Sequence, residues 1–289
     1  MQKEIISYGS RLENLDCFPS SFSVGRDNMT AIAAAYDPSN MRFVIAADGR
    51  CAAPTLPLRV KTDEDQKVFD AHTRFARIMF AMSGAANIGS FELTGPVHRQ
   101  IEMLSKRKFS NGYEFASTLC RNLIKVLHNA LEDGRITDIR PREDLPPEEK
   151  GRLFTIYLVG FFQGVPFFRV STFYFDESSR RFTLPRDQNP SLQNFHIIYT
   201  GSNKIQLMVT GKESIDPRLA HYLIEPNKKP DVRTATLSLV RACCDPNAKE
   251  IDADYWRYGG RIHAGELTPG GFTWIEPPIN AATQSDDPA

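Results

Sequence analysis

Strand-like and helix-like stretches follow one another in blocks along this chain, and that order restricts the architecture more than any single residue does. Thr30-Ala31-Ile32-Ala33-Ala34-Ala35-Tyr36 is a small apolar run of strand character. A Pro38-Ser39-Asn40 turn separates it from a second run that ends Ile45-Ala46-Ala47-Asp48. Residues 67–71 and 77–82 read as another strand pair. Two helices follow. Leu93, Val97, Ile101 and Leu104 share a face of the first, and Pro96 is expected to break or restart it near its beginning. Phe115, Leu119, Leu123, Val126 and Ala130 share a face of the second, with Ser110 or Asn111 as its cap. Residues 153–159 and 166–175 form a strand pair around Gly160 and Gly164. A strand over 195–199 ends at Thr200-Gly201-Ser202-Asn203, which caps a helix through Ile205, Met208 and Val209. A further helix over 232–243 and a closing hairpin across Pro269-Gly270-Gly271 complete the order. Strands, helices, strands, helices, strands in that sequence suggest two sheets packed together with helices on both outer faces.

At 289 residues the chain can bury a large core. Its 35 Lys and Arg balance its 35 Asp and Glu, which argues against a nucleic-acid or membrane-surface protein. No stretch approaches the ~20 apolar residues of a membrane helix. Cys17, Cys51, Cys120, Cys243 and Cys244 show no repeated spacing, and adjacent Cys243 and Cys244 suit neither a zinc site nor an ordinary disulfide. They read as reduced thiols of a cytosolic protein. Cys51 reads as a packing residue near the site rather than a rival nucleophile. The histidines show no metal spacing, and neither cofactor nor metal is expected. Residues 1–29 read as a polar leader without secretory or transit character. Residues 30–276 read as the functional domain, 133–151 as a charged, proline-bearing excursion within it, and 277–289 as a disordered tail. Phe161, Phe162, Phe167, Phe168, Phe173 and Phe175 read as core rather than as a ligand platform.

The chemistry lies in three short segments. Thr30 carries a hydroxyl at the head of the first strand, Asp48 an acid at the tip of the second, and Lys67 an ammonium at the start of another. A threonine hydroxyl needs a base, and a threonine at the start of a chain carries one in its own α-amine. That amine titrates near ~8. A nearby lysine ammonium lowers the value, and a carboxylate holds the lysine charged and in place. Ser83-Gly84-Ala85-Ala86 offers a glycine turn whose N–H groups can stabilise an oxyanion.

At these residues the chain resembles a family. Thr30-Ala31-Ile32, Ala46-Ala47-Asp48-Gly49-Arg50, Gln66-Lys67-Val68-Phe69 and Met82-Ser83-Gly84-Ala85-Ala86 resemble, in order and spacing, the front half of a proteasome β-type subunit. Ile45 to Arg50 is especially similar to the bacterial ring peptidase that works with an unfoldase ATPase. Tyr199-Thr200-Gly201-Ser202 and, more weakly, Gly259-Gly260-Arg261-Ile262 extend the likeness over about 30–276. The resemblance implies an α+β fold, a four-layer αββα sandwich of two antiparallel sheets (the N-terminal-nucleophile hydrolase fold). It also implies a threonine exposed by removal of the leader, self-assembly into rings, and peptide or unfolded-protein substrates. An ATPase unfoldase is a further partner it admits. Carried over by residue, Thr30 matches the nucleophile, Asp48 the acid, Lys67 the lysine, Gly84 the oxyanion glycine, and Ser202 the serine beside the threonine amine. Arg50 matches a basic or polar position beside the site.

The chain departs from that pattern in three places. Met29 stands where self-cleaving members have glycine. Tyr255-Trp256-Arg257-Tyr258 precedes the paired glycines where an acid and a serine are expected, so Asp254 fits the site only with a one-residue slip. The leader and the excursion are not standard. Translation from Met29, followed by methionine removal, would bare Thr30 without self-cleavage. Two other readings stay open: a non-catalytic ring or scaffold subunit of the same fold, and an N-terminal-nucleophile amidase acting on a small amide.

Overall fold

Ile32–Asp37 (β1) and Arg42–Ala47 (β2) form an antiparallel hairpin in which nearly every side chain is buried. Alternation explains how both faces can be covered. Ala31, Ala33 and Ala35 present methyl groups to one side, where helices approach closely, and Ile32, Ala34 and Tyr36 point to the other, where a second sheet lies. The computed structural model describes residues 30–52, 60–72, 75–84, 87–88, 91–137, 139, 149–225, 231–253 and 255–278. The leader, the centre of the excursion and the end of the tail lie outside these residues.

The second sheet begins with Val68–His72 (β3) paired to Ala76–Gly84 (β4). After the helices come Arg152–Phe162 (β5) and Val165–Asp176 (β6), then His196–Thr200 (β7), His263–Thr268 (β8) and Gly271–Glu276 (β9). One sheet runs β7-β1-β2-β8-β9. The other runs β6-β5-β4-β3, with Arg181–Phe182 at its edge beside β6. All the strand pairings in both are antiparallel.

Pro96 does not break its helix. Thr94–Ser105 (α1) runs uninterrupted, with the proline in its first turn, where an N–H has no intrahelical partner to lose. Gly112–Glu132 (α2) is capped by Asn111, whose Oδ1 accepts the Glu114 N–H at 2.9 Å; the Glu114 carboxylate accepts the Ser110 N–H in return. Gly160 is not a turn residue either. It sits inside β5, where an added Cβ would fall 2.3 Å from the Arg77 carbonyl oxygen. The β5–β6 turn is Gln163-Gly164, both with positive φ (53° and 81°), the left-handed pair that a two-residue hairpin uses.

Asn203–Val209 (α3) and Val232–Cys244 (α4) complete the helices. Three apolar clusters stack through the molecule. One lies between α1, α2 and the outer face of the β3–β6 sheet, around Phe80, Phe115 and Phe167. One lies between the sheets, around Ile45, Tyr157 and Phe168. One lies between α3, α4 and the outer face of the other sheet, around Val209, Leu239 and Val240. The layers therefore run helix, sheet, sheet, helix. The phenylalanines of β5 and β6 divide between the first two clusters by alternation, Phe161 and Phe168 facing the seam and Phe162, Phe167, Phe173 and Phe175 facing the helices. A hydrogen bond between the buried Tyr157 and Thr200 hydroxyls crosses the seam. Among the described residues no helix is long and apolar enough to cross a membrane.

Candidate active site

Four chain segments meet at one end of the seam: the entry to β1, the exit of β2, the residue before β3, and the approach to β8. Thr30 precedes β1 and Asp48 follows β2, so the β1–β2 ladder sets them side by side. The Asp48 N–H donates to the Ala31 carbonyl at 3.0 Å, and the Ala31 N–H donates to Asp48 Oδ1 at 3.0 Å. The other carboxylate oxygen, Oδ2, accepts the Gly259 N–H at 3.0 Å. Lys67 arrives from the opposite sheet. Its Nζ donates to Thr30 Oγ1 at 3.0 Å, to Asp48 Oδ1 at 3.0 Å and to the Arg50 carbonyl at 2.5 Å. Thr30, Asp48 and Lys67 are all buried, Asp48 completely.

This geometry suits an ammonium facing a carboxylate. An ammonium has three N–H groups, and here each has an acceptor. Burial pushes the Asp48 carboxyl above its ordinary value, while the Lys67 ammonium and the Gly259 and Ala31 amides pull it back. Removing either partner would strand a buried charge at a cost of about 3–5 kcal/mol. A cation donating to Thr30 Oγ1 favours the alkoxide over the hydroxyl, and it leaves the hydroxyl proton free for transfer to a base.

The surrounding loops are locked by polar bonds. The Arg50 guanidinium bonds Asp63 through Nε at 2.7 Å and donates from Nη1 to the Tyr258 carbonyl at 2.7 Å. The Asp63 carboxyl is held below its ordinary range by that guanidinium. The Arg261 N–H donates to the Asp63 carbonyl at 2.7 Å and the Asp65 N–H to the Gly49 carbonyl at 2.9 Å. These bonds fix the Gly259 amide, which a reading based on side-chain chemistry passes over. Just before Lys67, Glu64 and Asp65 join Glu92 and Phe69 around a cavity of about 380 Å³, whose acidity suits a cationic group over an anionic one.

The structure places the remaining candidates less centrally. Gly84 ends β4 with φ +96°, and an added Cβ would lie 2.6 Å from the Leu153 carbonyl oxygen. Ser202 caps α3 through Oγ, which accepts the Ile205 N–H at 3.2 Å, and its own N–H donates to Cys243 Sγ. The β1–β7 register pairs Ile32 with Thr200. Continued by two residues, it sets Ser202 across from Thr30. Asp254 lies outside the described residues. Burial pushes the Cys243 thiol up to about 12, so it is no thiolate nucleophile.

One residue at the site carries no sequence signal. His263, at the start of β8, is buried, and its Nε2 accepts the Lys67 N–H at 2.7 Å. An accepting Nε2 puts the proton on Nδ1. Burial first, then the positive Lys67 and Arg261, press the ring down to about 4, so it is neutral near pH 7. A lone histidine without metal spacing gives no cue in sequence; only its register opposite Ala47 brings it to Lys67.

No family model and no curated protein matches the chain. Among solved structures it is similar to the Gly-1 mutant of Anbu from Hyphomicrobium sp. strain MC1, with a TM-score of 0.46 and 12% identity over 86% of this chain and 87% of that one.

Proposed function

We propose that this chain is a peptide-bond hydrolase of the proteasome-like, N-terminal-nucleophile kind, with Thr30 as nucleophile once it becomes the first residue. The observation that carries the reading is the position of Lys67 Nζ, 3.0 Å from both Thr30 Oγ1 and Asp48 Oδ1, with all three residues buried. A lysine so placed is costly to bury as packing alone, and it activates the atom it touches.

Thr30 Oγ adds to the scissile carbonyl and passes its proton to its own α-amine. The Gly84 N–H is our candidate donor to the resulting oxyanion. The intermediate collapses to an ester on Oγ, and the departing amine takes the proton back from the α-ammonium. Water, deprotonated by the same amine, then cleaves the ester and restores Thr30. Lys67 Nζ, 3.0 Å from Oγ1, stabilises the alkoxide and, by repulsion, favours the neutral form of the α-amine. Asp48 holds Lys67, and Ser202 and Asp254 are candidates to orient the amine. Ring self-assembly and unfolded-chain substrates belong to this reading and rest on the family resemblance alone.

The test uses the full chain produced natively. Its intact mass gives the first residue, and a threonine-directed epoxyketone reports a hydroxyl and a free amine on one residue. The expected result is a chain starting at Thr30 that gains one probe, with labelling lost in Thr30→Ala. A chain that retains residue 29 and takes no probe overturns the reading in favour of a non-catalytic subunit.

A further inference from the structure

We propose that His263 is the positioning residue for Lys67, a neutral acceptor that fixes where the ammonium reaches. The proposal rests on the catalytic reading of the site for its consequence, but its geometry stands alone. Lys67 sits just outside the ladder of β3, an edge strand. Its carbonyl accepts the Met82 N–H from β4 at 3.4 Å, a long bond, while its own N–H is given to a side chain of the other sheet. The backbone of Lys67 is therefore referenced to β8, next to β2, at whose end Asp48 stands. The distance between sheets at this point becomes a ring-sized constant.

The chemistry of the ring fits that task. A buried backbone N–H left without an acceptor is costly, so the bond is held tightly. The ring is buried, so close packing limits its rotation away from the Lys67 N–H. His263 itself bonds the Lys67 backbone and not Thr30 or Asp48 in the structure. It acts through Lys67 and is not itself a catalytic residue.

Three full-chain proteins separate the possibilities. His263→Phe keeps a ring without an acceptor, and His263→Gln restores an acceptor near the position of Nε2. Crystal structures of each report the Lys67 Nζ to Thr30 Oγ1 distance, and epoxyketone labelling reports the maximal rate and the half-saturating concentration. We expect Lys67 Nζ to leave Thr30 Oγ1 in His263→Phe, with the maximal labelling rate reduced about 10- to 100-fold and the half-saturating concentration nearly unchanged. His263→Gln should regain most of the rate. An unmoved Lys67 in His263→Phe overturns the proposal, as does a maximal rate in His263→Phe equal to that of a wild type that labels. If the wild type takes no probe, the catalytic reading falls instead, and the Lys67 position in the two variants still decides the role of His263.

Discussion

At the scale of single residues, the site is a buried charge surrounded by neutral hydrogen-bonding groups, and each part answers differently to change. Lys67→Met should leave the Asp48 carboxylate with its two amide donors and no cation. We expect a loss of about 3–5 kcal/mol in urea-derived stability, and a loss of less than 1 kcal/mol would mean that the carboxyl is protonated in the folded chain. His263 gives the opposite kind of test. Its folded value of about 4 lies below the ordinary 6.5, so the unfolded chain binds the extra proton first. The contribution is intact above 6.5 and is lost as pH falls toward 4. Between pH 7 and pH 5 stability should drop by about 2 kcal/mol from this group alone. Unfolding of His263→Gln at the same two pH values should show a drop smaller by about that amount; equal drops would show that His263 is not the titrating group.

At the scale of elements, the sequence was informative wherever period and punctuation agreed. The alanine-rich run before Tyr36 and the turn at Pro38 define β1 and β2 without ambiguity, and the capping residues of α2 and α3 stand where local hydrogen-bonding chemistry wants them. Reading failed where one residue type has two physical roles. Pro96 looked like a breaker but occupies a first turn that tolerates it. Gly160 looked like a turn but is a close-packing position, and Gly164 beside it is the true turn. Thr30, Asp48 and Lys67 stand out in sequence because their chemistry and spacing are unusual together. His263 does not, since it is a solitary ring, and the paired glycines mark Gly259 only as part of a weak resemblance, without showing that its amide meets Asp48. The two glycines of β5 and its turn can be told apart by substitution. Gly164→Ala meets no atom and should cost only the left-handed backbone penalty, about 1 kcal/mol. Gly160→Ala must displace the Arg77 backbone and should cost about 1–3 kcal/mol more in denaturant unfolding. The reverse ranking would mean that β4 yields easily at Arg77.

At the scale of the whole molecule, the apolar seam between the sheets supports the site. Phe43 is fully buried there against Tyr36, Phe161 and Phe168. Phe43→Ala should lose about 3–5 kcal/mol by chemical denaturation. Because the seam also sets how Lys67 approaches Asp48, the same variant should label more slowly with the epoxyketone even under conditions where it is fully folded. Slower labelling only in step with unfolding would separate the two roles.

Thr30 and Asp48 ride on one sheet and Lys67 on the other, so no half of the sandwich holds the complete set. On the proposed reading this works as a safety catch. A nascent or partly opened chain carries an ordinary alcohol, indifferent to every peptide around it, and becomes dangerous only when docking is finished.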